Sequence, residues 1–233
     1  DVTNFSSTFG NTGIISIPTG LFDNNTKVTT FNSTFKDCQF LTTIPEGLFD
    51  KCPDVTNFGG TFNACRKLNS VPEKLFDNNT KVTSFDATFY QTGITEIPEG
   101  LFANCTEVTN FAGTFSGCWS LKSIPTGLFY NNTKVTNFKE TFGWCAALTE
   151  IPAGLFDCNR EVINFEKTFR DCMNITSESP YTIINVGGNE VKVHLYERSS
   201  YPEHFTTPTS YTSCFYNNNN WIDYNAIVAA GWN

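Results

Sequence analysis

A repeat of 26 or 27 residues runs through most of this 233-residue chain and constrains its fold more than any other feature. Each copy opens with a valine, at Val2, Val28, Val55, Val82, Val108, Val135 and Val162. The first and fourth copies are one residue shorter because they carry a glycine turn, at Gly13 and Gly93. A fixed period of this length is the signature of a solenoid, in which each unit contacts only its neighbours.

Phenylalanine is the main apolar residue of the repeat, and 20 of the 23 phenylalanines fall in three columns. Each of the first six copies also contains a proline, such as Pro45, which interrupts any long helix. We therefore predict two short strands per coil, Val-Thr-Asn-Phe and Leu-Thr-x-Ile, each followed by a tight helical turn. Equivalent residues of stacked strands lie about 5 Å apart. The columns headed by Phe5, Phe9 and Phe22 are thus expected to form three interior ladders.

The repeat stops after Cys172, and the remaining sequence has a different pattern. Residues 181–196 alternate apolar and polar side chains around Gly187 and Gly188, which predicts a β-hairpin. The last segment keeps the spacing of a coil in degenerate form and carries three large aromatic residues, Trp221, Tyr224 and Trp232. A terminal repeat must shield the last apolar face from water. We therefore interpret the chain as a solenoid, a hairpin insertion and a final repeat with its cap, over residues 1–172, 173–200 and 201–233.

The motifs Leu-Thr-x-Ile, Lys-Val-Thr-Asn-Phe and Thr-Phe-x-x-Cys, which recur through residues 1–172, resemble the repeats of BspA-type leucine-rich-repeat surface proteins of bacteria. The resemblance implies an α/β solenoid, a right-handed leucine-rich-repeat superhelix of about six coils with short parallel strands and short helical turns. It also implies a noncatalytic recognition or adhesion module, at a cell surface or secreted, that binds a protein or a glycan. The chain departs from many such repeats in its Ile-Pro step and in having Phe where Met or Leu is common.

The charge of the chain argues against nucleic acid as a partner. Its formal net charge is −8 and its pI is about 4.7, whereas a phosphate-binding surface needs clustered Lys and Arg. No apolar run is long enough to span a bilayer and no signal-peptide pattern is present, so we expect no membrane insertion by this segment. Asp1 lies inside a repeat, so we expect that an N-terminal signal or anchor is absent from this chain.

Residues capable of catalysis or metal binding form no recognisable constellation in the sequence. The nine cysteines include no Cys-x-x-Cys pair, and five of them share the inward position of Cys38, so we predict free buried thiols and no metal or cofactor. His194 and His204 lack a nucleophile in a recognisable arrangement, and no acidic pair stands out as a glycosidase pair. We predict that the chain is not an enzyme. Two alternatives stay open: a polysaccharide-acting enzyme on a solenoid scaffold, and a passive surface spacer.

Aromatic departures from the repeat supply the candidate ligand-binding residues. Tyr90, Trp119 and Trp144 fall in three consecutive coils, in the corner between the second Phe of a copy and the following Leu or Ile. Other copies carry polar residues there, such as Lys36 and Arg66, so core packing does not require an aromatic side chain. Planar rings on a rigid scaffold suit stacking on sugars or anchoring a protein contact. We predict one exposed strip of these three rings; the structural alternative is that they lie flat over the turns.

The residue before each opening valine alternates in charge, in the series Asp1, Lys27, Asp54, Lys81, Glu107, Lys134 and Glu161. Stacked coils would bring these residues into a ladder of opposite charges. Each exposed pair is worth only about 0.2–1 kcal/mol, so we expect the ladder to set the register of the coils more than their stability. We expect the chain to act as a monomer.

Overall fold

The computed structural model describes residues 2–233, and the chain winds repeatedly along the same backbone path. One parallel bridge joins each coil to the next, in the series Asn4, Thr30, Asn57, Ser84, Asn110, Asn137, Asn164 and Ser210. We number the coils from one, which contains Asn4, to eight, which contains Ser210. The last bridge spans the region where the repeat pattern stops, so the coils resume after the hairpin. This stack of parallel coils is a solenoid.

Between residues 2 and 172, the coils contain neither the helical turns nor the two strands that the sequence predicted. Each coil has a single bridge residue, and the Leu-Thr-x-Ile side has isolated hydrogen bonds such as Thr42 N to Ile15 O at 3.2 Å. In place of the expected helical turn, the chain forms a run of tighter turns. In these turns, successive backbone N–H groups alternate between a carbonyl of the same coil and a carbonyl of the next coil. Thr8 N donates to a carbonyl of its own coil, whereas Phe9 N donates to Thr34 O of the next coil at 2.9 Å.

In each coil, two left-handed residues after the first Phe explain why that segment forms no helix. They follow the first Phe of the coil by two and by six residues, as at Ser33 and Asp37, whose φ angles are 56° and 59°. An α-helix needs φ near about −60° at every residue, so each left-handed residue ends the helical path. The same two turns recur in coil eight, at Ser213 and Asn217, with φ of 57° and 64°.

The three phenylalanine ladders are confirmed. The ring of Phe111 lies 5.7 Å from that of Phe85 and 5.8 Å from that of Phe138, with interplanar angles of 7° and 3°. The third ladder fits between these rungs, because the rings of Phe102 and Phe129 lie 4.8 Å and 4.7 Å from Phe111 and are tilted against it. All five rings are fully buried. Offset and tilted pairs are the arrangements that aromatic rings favour, so the core is a continuous aromatic column.

Three columns of buried polar side chains donate to carbonyl groups of the preceding coil. Thr114 Oγ1 and Cys118 Sγ each donate to a phenylalanine carbonyl, at 2.9 Å and 3.2 Å. Asn132 Nδ2 donates to Cys105 O at 2.8 Å. A buried carbonyl without a donor costs about 1–3 kcal/mol. The Thr, Cys and Asn columns therefore satisfy backbone groups that a coil with longer strands would pair in a sheet.

Parts of the predicted charge ladder are present as separate ion pairs. Lys81 Nζ lies 2.6 Å from Asp54 Oδ1, and Lys134 Nζ lies 2.7 Å from Glu107 Oε1. Both pairs join neighbouring coils and are exposed. Asp1, the first member of the predicted ladder, lies outside the described residues.

A β-hairpin interrupts the solenoid after coil seven. Strands β1 (Tyr181–Val186) and β2 (Asn189–His194) pair antiparallel, and Gly187 and Gly188 turn the chain with φ of 58° and 89°. This agrees with the predicted hairpin. A 3₁₀ helix follows at Leu195–Ser200. The hairpin has a small core of its own, made by Ile184, Val193 and Phe205.

Two tryptophans cover the last phenylalanine rings, as the cap prediction requires. Trp221 lies 6.0 Å from Phe169, and Trp232 lies 6.0 Å from Phe165. The short helix α1 (Tyr224–Ala229) connects the two tryptophans. Both tryptophan side chains are buried. Together with Phe215 of coil eight, which stacks on Phe169 at 5.8 Å, they shield the aromatic surface of coil seven from water.

Arg198 of the 3₁₀ helix closes the asparagine column. Its Nη1 donates to Asn159 O at 2.9 Å and its Nη2 donates to Phe156 O at 2.8 Å. These are the carbonyl positions that Asn159 itself binds one coil earlier. Burial lowers the pKa of Arg198 to about 9, which leaves the guanidinium charged at neutral pH, and its Cζ lies 4.5 Å from the ring centre of Phe205. Arg198 is therefore the last rung of a ladder that begins inside the repeats.

Candidate functional site

The three aromatic residues predicted to bind a ligand lie at three different places in their corner of the coil. Tyr90 follows the second Phe of its coil by one residue, Trp144 by two and Trp119 by four. Tyr90 is half-buried, and its Oη accepts a hydrogen bond from Gln91 Nε2 at 3.4 Å. Trp119 is 46% exposed, whereas Trp144 is half-buried and contacts Arg170. A single strip of the three rings therefore stays a prediction.

Trp144 has a left-handed backbone, with φ of 58°. The residues at the same position in the other coils all have positive φ as well: Asn11, Asp37, Ala64, Gln91, Gly117, Asp171 and Asn217. Glycine, aspartate and asparagine tolerate this conformation, whereas a bulky side chain in it is an outlier. Such strain costs about 1–3 kcal/mol and clusters at functional sites. The fold imposes the left-handed conformation at this position in every coil, including at Ala64 and Gln91, and it does not require tryptophan there.

The guanidinium of Arg170 lies between the rings of Trp144 and Tyr216. Its Cζ is 5.4 Å from the ring centre of Trp144 and 5.1 Å from that of Tyr216, within the range of a cation–π contact. Arg170 Nε also donates to Asp171 Oδ2 at 3.0 Å, and Asp171 Oδ1 accepts from Asn217 Nδ2 at 2.6 Å. These contacts join coils six, seven and eight into one surface.

Two further exposed apolar side chains extend this surface, and we call the whole set the aromatic corner: Trp119, Trp144, Arg170, Met173 and Tyr216. Trp119 and Met173 hold the same position two coils apart, and Ala146 holds it between them. The exposed fractions of Trp119, Met173 and Tyr216 are 46%, 49% and 45%. Tryptophan, tyrosine, arginine and methionine are enriched at protein interfaces. The aromatic corner therefore has the composition of a protein-binding surface.

Sequence reasoning missed Arg170, Met173 and Tyr216. A signal existed for one of them, because Tyr216 occupies the same repeat position as Arg170. Treating the last repeat only as a cap hides this signal. The structure separates the two roles, since Trp221 and Trp232 are buried against the core whereas Tyr216 is exposed. Met173 stands in a variable column, and nothing in its sequence context marks it.

His194 lies in a polar cluster with Ser179 and Asp223 that the sequence did not reveal. Its Nδ1 is 3.1 Å from Ser179 Oγ and 3.3 Å from Asp223 Oδ2, and Ser179 Oγ donates to the same carboxylate oxygen. A nucleophilic triad needs the serine at one ring nitrogen and the carboxylate at the other. Here both lie at Nδ1, and Ser179 is fully buried. The cluster joins β2 to the segments before β1 and α1, and it does not activate a nucleophile.

The cysteine thiols are buried in the stack of coils rather than presented at a site. Burial raises the pKa of Cys118 and of Cys172 to about 12, so these thiols stay protonated at neutral pH. Cys158 is half-buried. Among residues 2–233, no three His, Cys, Asp or Glu side chains lie close enough to hold a metal ion. Over the same residues, no helix has the length and apolar character needed to cross a bilayer.

Comparisons with known proteins return distant structural likenesses. No protein-family model matches the chain, and no curated protein matches its sequence. Among solved structures, the chain is similar to the Toll–Spatzle complex, titled a molecular hub in Drosophila development and innate immunity, with 19% identity and a TM-score of 0.39 over 81% of this chain and 27% of that chain. It is also similar to the APL1 leucine-rich-repeat domain, with 17% identity and a TM-score of 0.43 over 61% of this chain and 37% of that chain.

A third similar structure is the LRIM1/APL1C complex, with 18% identity and a TM-score of 0.36 over 53% of this chain and 21% of that chain. The chain thus spans between 21% and 37% of the length of these three structures. The solenoid rests on the bridges and ring ladders of the chain itself.

Proposed function

We propose that this chain is a noncatalytic recognition or adhesion module that binds a protein partner through the aromatic corner. We include in this proposal a BspA-like, right-handed leucine-rich-repeat superhelix over residues 1–172, with about six full coils and the first part of a seventh. The hairpin insertion at 173–200 and the final repeat and cap at 201–233 follow it. In this proposal the module is a monomer and acts at a cell surface or after secretion. Glycan binding by Tyr90, Trp119 and Trp144 is the alternative for the same corner.

The observation that carries the proposal is the left-handed tryptophan at position 144. Other coils hold smaller residues at this position, among them Gly117, Asp171 and Asn217, which accept the left-handed backbone more readily than tryptophan does. Trp144 is partly exposed and contacts Arg170, which also lies over Tyr216, and such a cluster fits the hot spots of protein interfaces.

Protein is favoured over glycan by the position of Arg170. A sugar ring stacks on an open aromatic face, but Arg170 lies over one face of both Trp144 and Tyr216. Arginine between two aromatic rings can donate its remaining N–H groups to a carboxylate or a backbone carbonyl of a partner. Trp119 and Met173 add apolar surface beside it.

The test begins with the isolated chain on arrays of extracellular proteins and of glycans. We expect selective binding to a protein. The Trp144→Asn variant should bind that protein at least about tenfold more weakly, while its Tm stays the same or rises because asparagine accepts a left-handed backbone. Asp37→Asn, at the same repeat position in coil two and outside the aromatic corner, is the matched control, because Asp37 is also half-buried and left-handed, and it should bind as the natural chain does.

Each other outcome points to a different function. Binding to glycans alone would favour the sugar-stacking alternative, turnover of a polysaccharide would favour an enzyme, and silence on both arrays would favour a passive spacer. A Trp144→Asn variant that binds normally would place the site elsewhere. A Trp144→Asn variant that unfolds at a much lower temperature would show that Trp144 has a structural role.

A further inference from the structure

A groove crosses coils two to five on the part of the repeat that contains the Ile-Pro step. Two adjoining clefts form it, with volumes of about 750 Å³ and 480 Å³, and they share Val71 and Glu73. The apolar lining comes from Val71, Pro72, Ile97, Pro98 and Pro125. Proline has no N–H group to donate to a neighbouring coil. The proline column therefore donates no backbone hydrogen bond between coils, and on this side the coils are joined by isolated bonds such as Lys122 N to Thr95 O at 3.0 Å.

The groove is lined by five carboxylates, and Lys74 is the cation among its lining residues. The carboxylates belong to Glu46, Asp50, Glu73, Glu96 and Glu99. Within residues 2–233, none of the five takes part in an ion pair. Three of them, Glu46, Glu73 and Glu99, follow the proline directly in three successive coils, so like charges are stacked along the groove. A cationic occupant would relieve this repulsion.

We propose that this groove binds an extended, arginine- or lysine-rich segment of a partner protein. The aliphatic stems of arginine and lysine pack on apolar surface while their charged heads reach outward, which matches a proline floor with carboxylates at its edges. A metal ion is a poorer fit, because no three potential ligands within residues 2–233 converge on one point. The groove shares no lining residue with the aromatic corner, so this proposal goes beyond the proposed function and does not depend on it.

The test uses a fluorescein-labelled peptide of alternating arginine and proline residues, which stays extended in solution. Fluorescence anisotropy should show saturable binding to the natural chain that weakens as salt is added. The triple variant Glu46→Gln, Glu73→Gln and Glu99→Gln should bind the peptide about tenfold more weakly. The control variant Glu150→Gln, Glu190→Gln and Glu203→Gln removes the same number of charges from exposed positions outside the groove and should change the affinity by less than about twofold.

Three results would overturn the proposal. Equal weakening in the two triple variants, or displacement of the peptide by spermine as effectively as by unlabelled peptide, would mean diffuse attraction to an acidic protein. Failure of the natural chain to bind the peptide at low salt would remove the groove as a basic-peptide site. Self-association in sedimentation that disappears in the groove variant would identify the occupant as a second copy of this chain. Because the array assay uses other probes, none of these results bears on the aromatic corner.

Discussion

Replacing Phe111 with alanine tests the aromatic core in the middle of the solenoid. The Phe111 ring is fully buried, and four neighbouring rings lie 4.7–5.8 Å from it. A buried phenylalanine changed to alanine costs about 3–5 kcal/mol, and each aromatic pair contributes about 0.5–1.5 kcal/mol beyond the buried area. We therefore expect the free energy of unfolding to fall by an amount in the upper part of the 3–5 kcal/mol range.

Phe5→Ala is the matched control, because Phe5 belongs to the same ladder but lies half-buried in coil one. Its ring has two neighbours in the structure, Phe22 at 4.8 Å and Phe31 at 5.8 Å. We expect this change to cost about half as much as Phe111→Ala, since it removes half the ring contacts and less buried area.

Urea unfolding followed by circular dichroism measures both changes, and the slope of the transition reports whether the coils still unfold together. A smaller slope in Phe111→Ala would show that the cavity uncouples the coils on its two sides, because each coil contacts only its neighbours. A loss below about 1 kcal/mol, or a loss equal to that of Phe5→Ala, would contradict the stacked interior.

Three further predictions concern the cap, the charge ladder and the thiols. Arg198→Met leaves two buried carbonyls without a donor, so chemical denaturation should show a loss of about 2–4 kcal/mol that Arg198→Lys only partly restores; an unchanged midpoint would mean that Arg198 is not a rung of the column. Lys81 lowers the pKa of Asp54 in the folded protein. The ion pair therefore stabilises the fold fully above the ordinary carboxyl pKa, and this stabilisation is lost as the pH falls through the lowered pKa of Asp54. Lys81→Glu should therefore destabilise the fold slightly at pH 7, by less when salt is added and by less in acid. A loss of Tm that does not depend on salt would show that these residues are not close in space. Ellman's reagent should modify Cys158 first in the native protein and all nine cysteines after unfolding; fast native reaction of Cys118 would contradict its burial.

The repeat allowed the solenoid and its ladders to be predicted, because a residue that recurs at a fixed period must meet its own copies when the coils stack. The break in the periodicity after Cys172 marked where the hairpin interrupts the coils, and the Gly187-Gly188 pair predicted the hairpin. The path of the backbone within a coil was harder to predict from the sequence than the stacking of the coils. Left-handed turns occur at Ser33, Ala87 and Glu140 alike, so residue type does not predict them. Hydrogen bonds between coils select this backbone conformation.

The functional surface depended on tertiary structure for a related reason. Tyr216 meets Arg170 only because coil eight docks on coil seven, after the hairpin, with the same register as an ordinary coil. Ser179 and Asp223 are 44 residues apart and meet through the docking of the cap. Periodicity specifies which residues face inward, since burial repeats from coil to coil. The irregular C-terminal segments decide which exposed side chains become neighbours, through the way they pack against the last coils. These segments lie outside the regular repeat, so periodicity does not predict their packing.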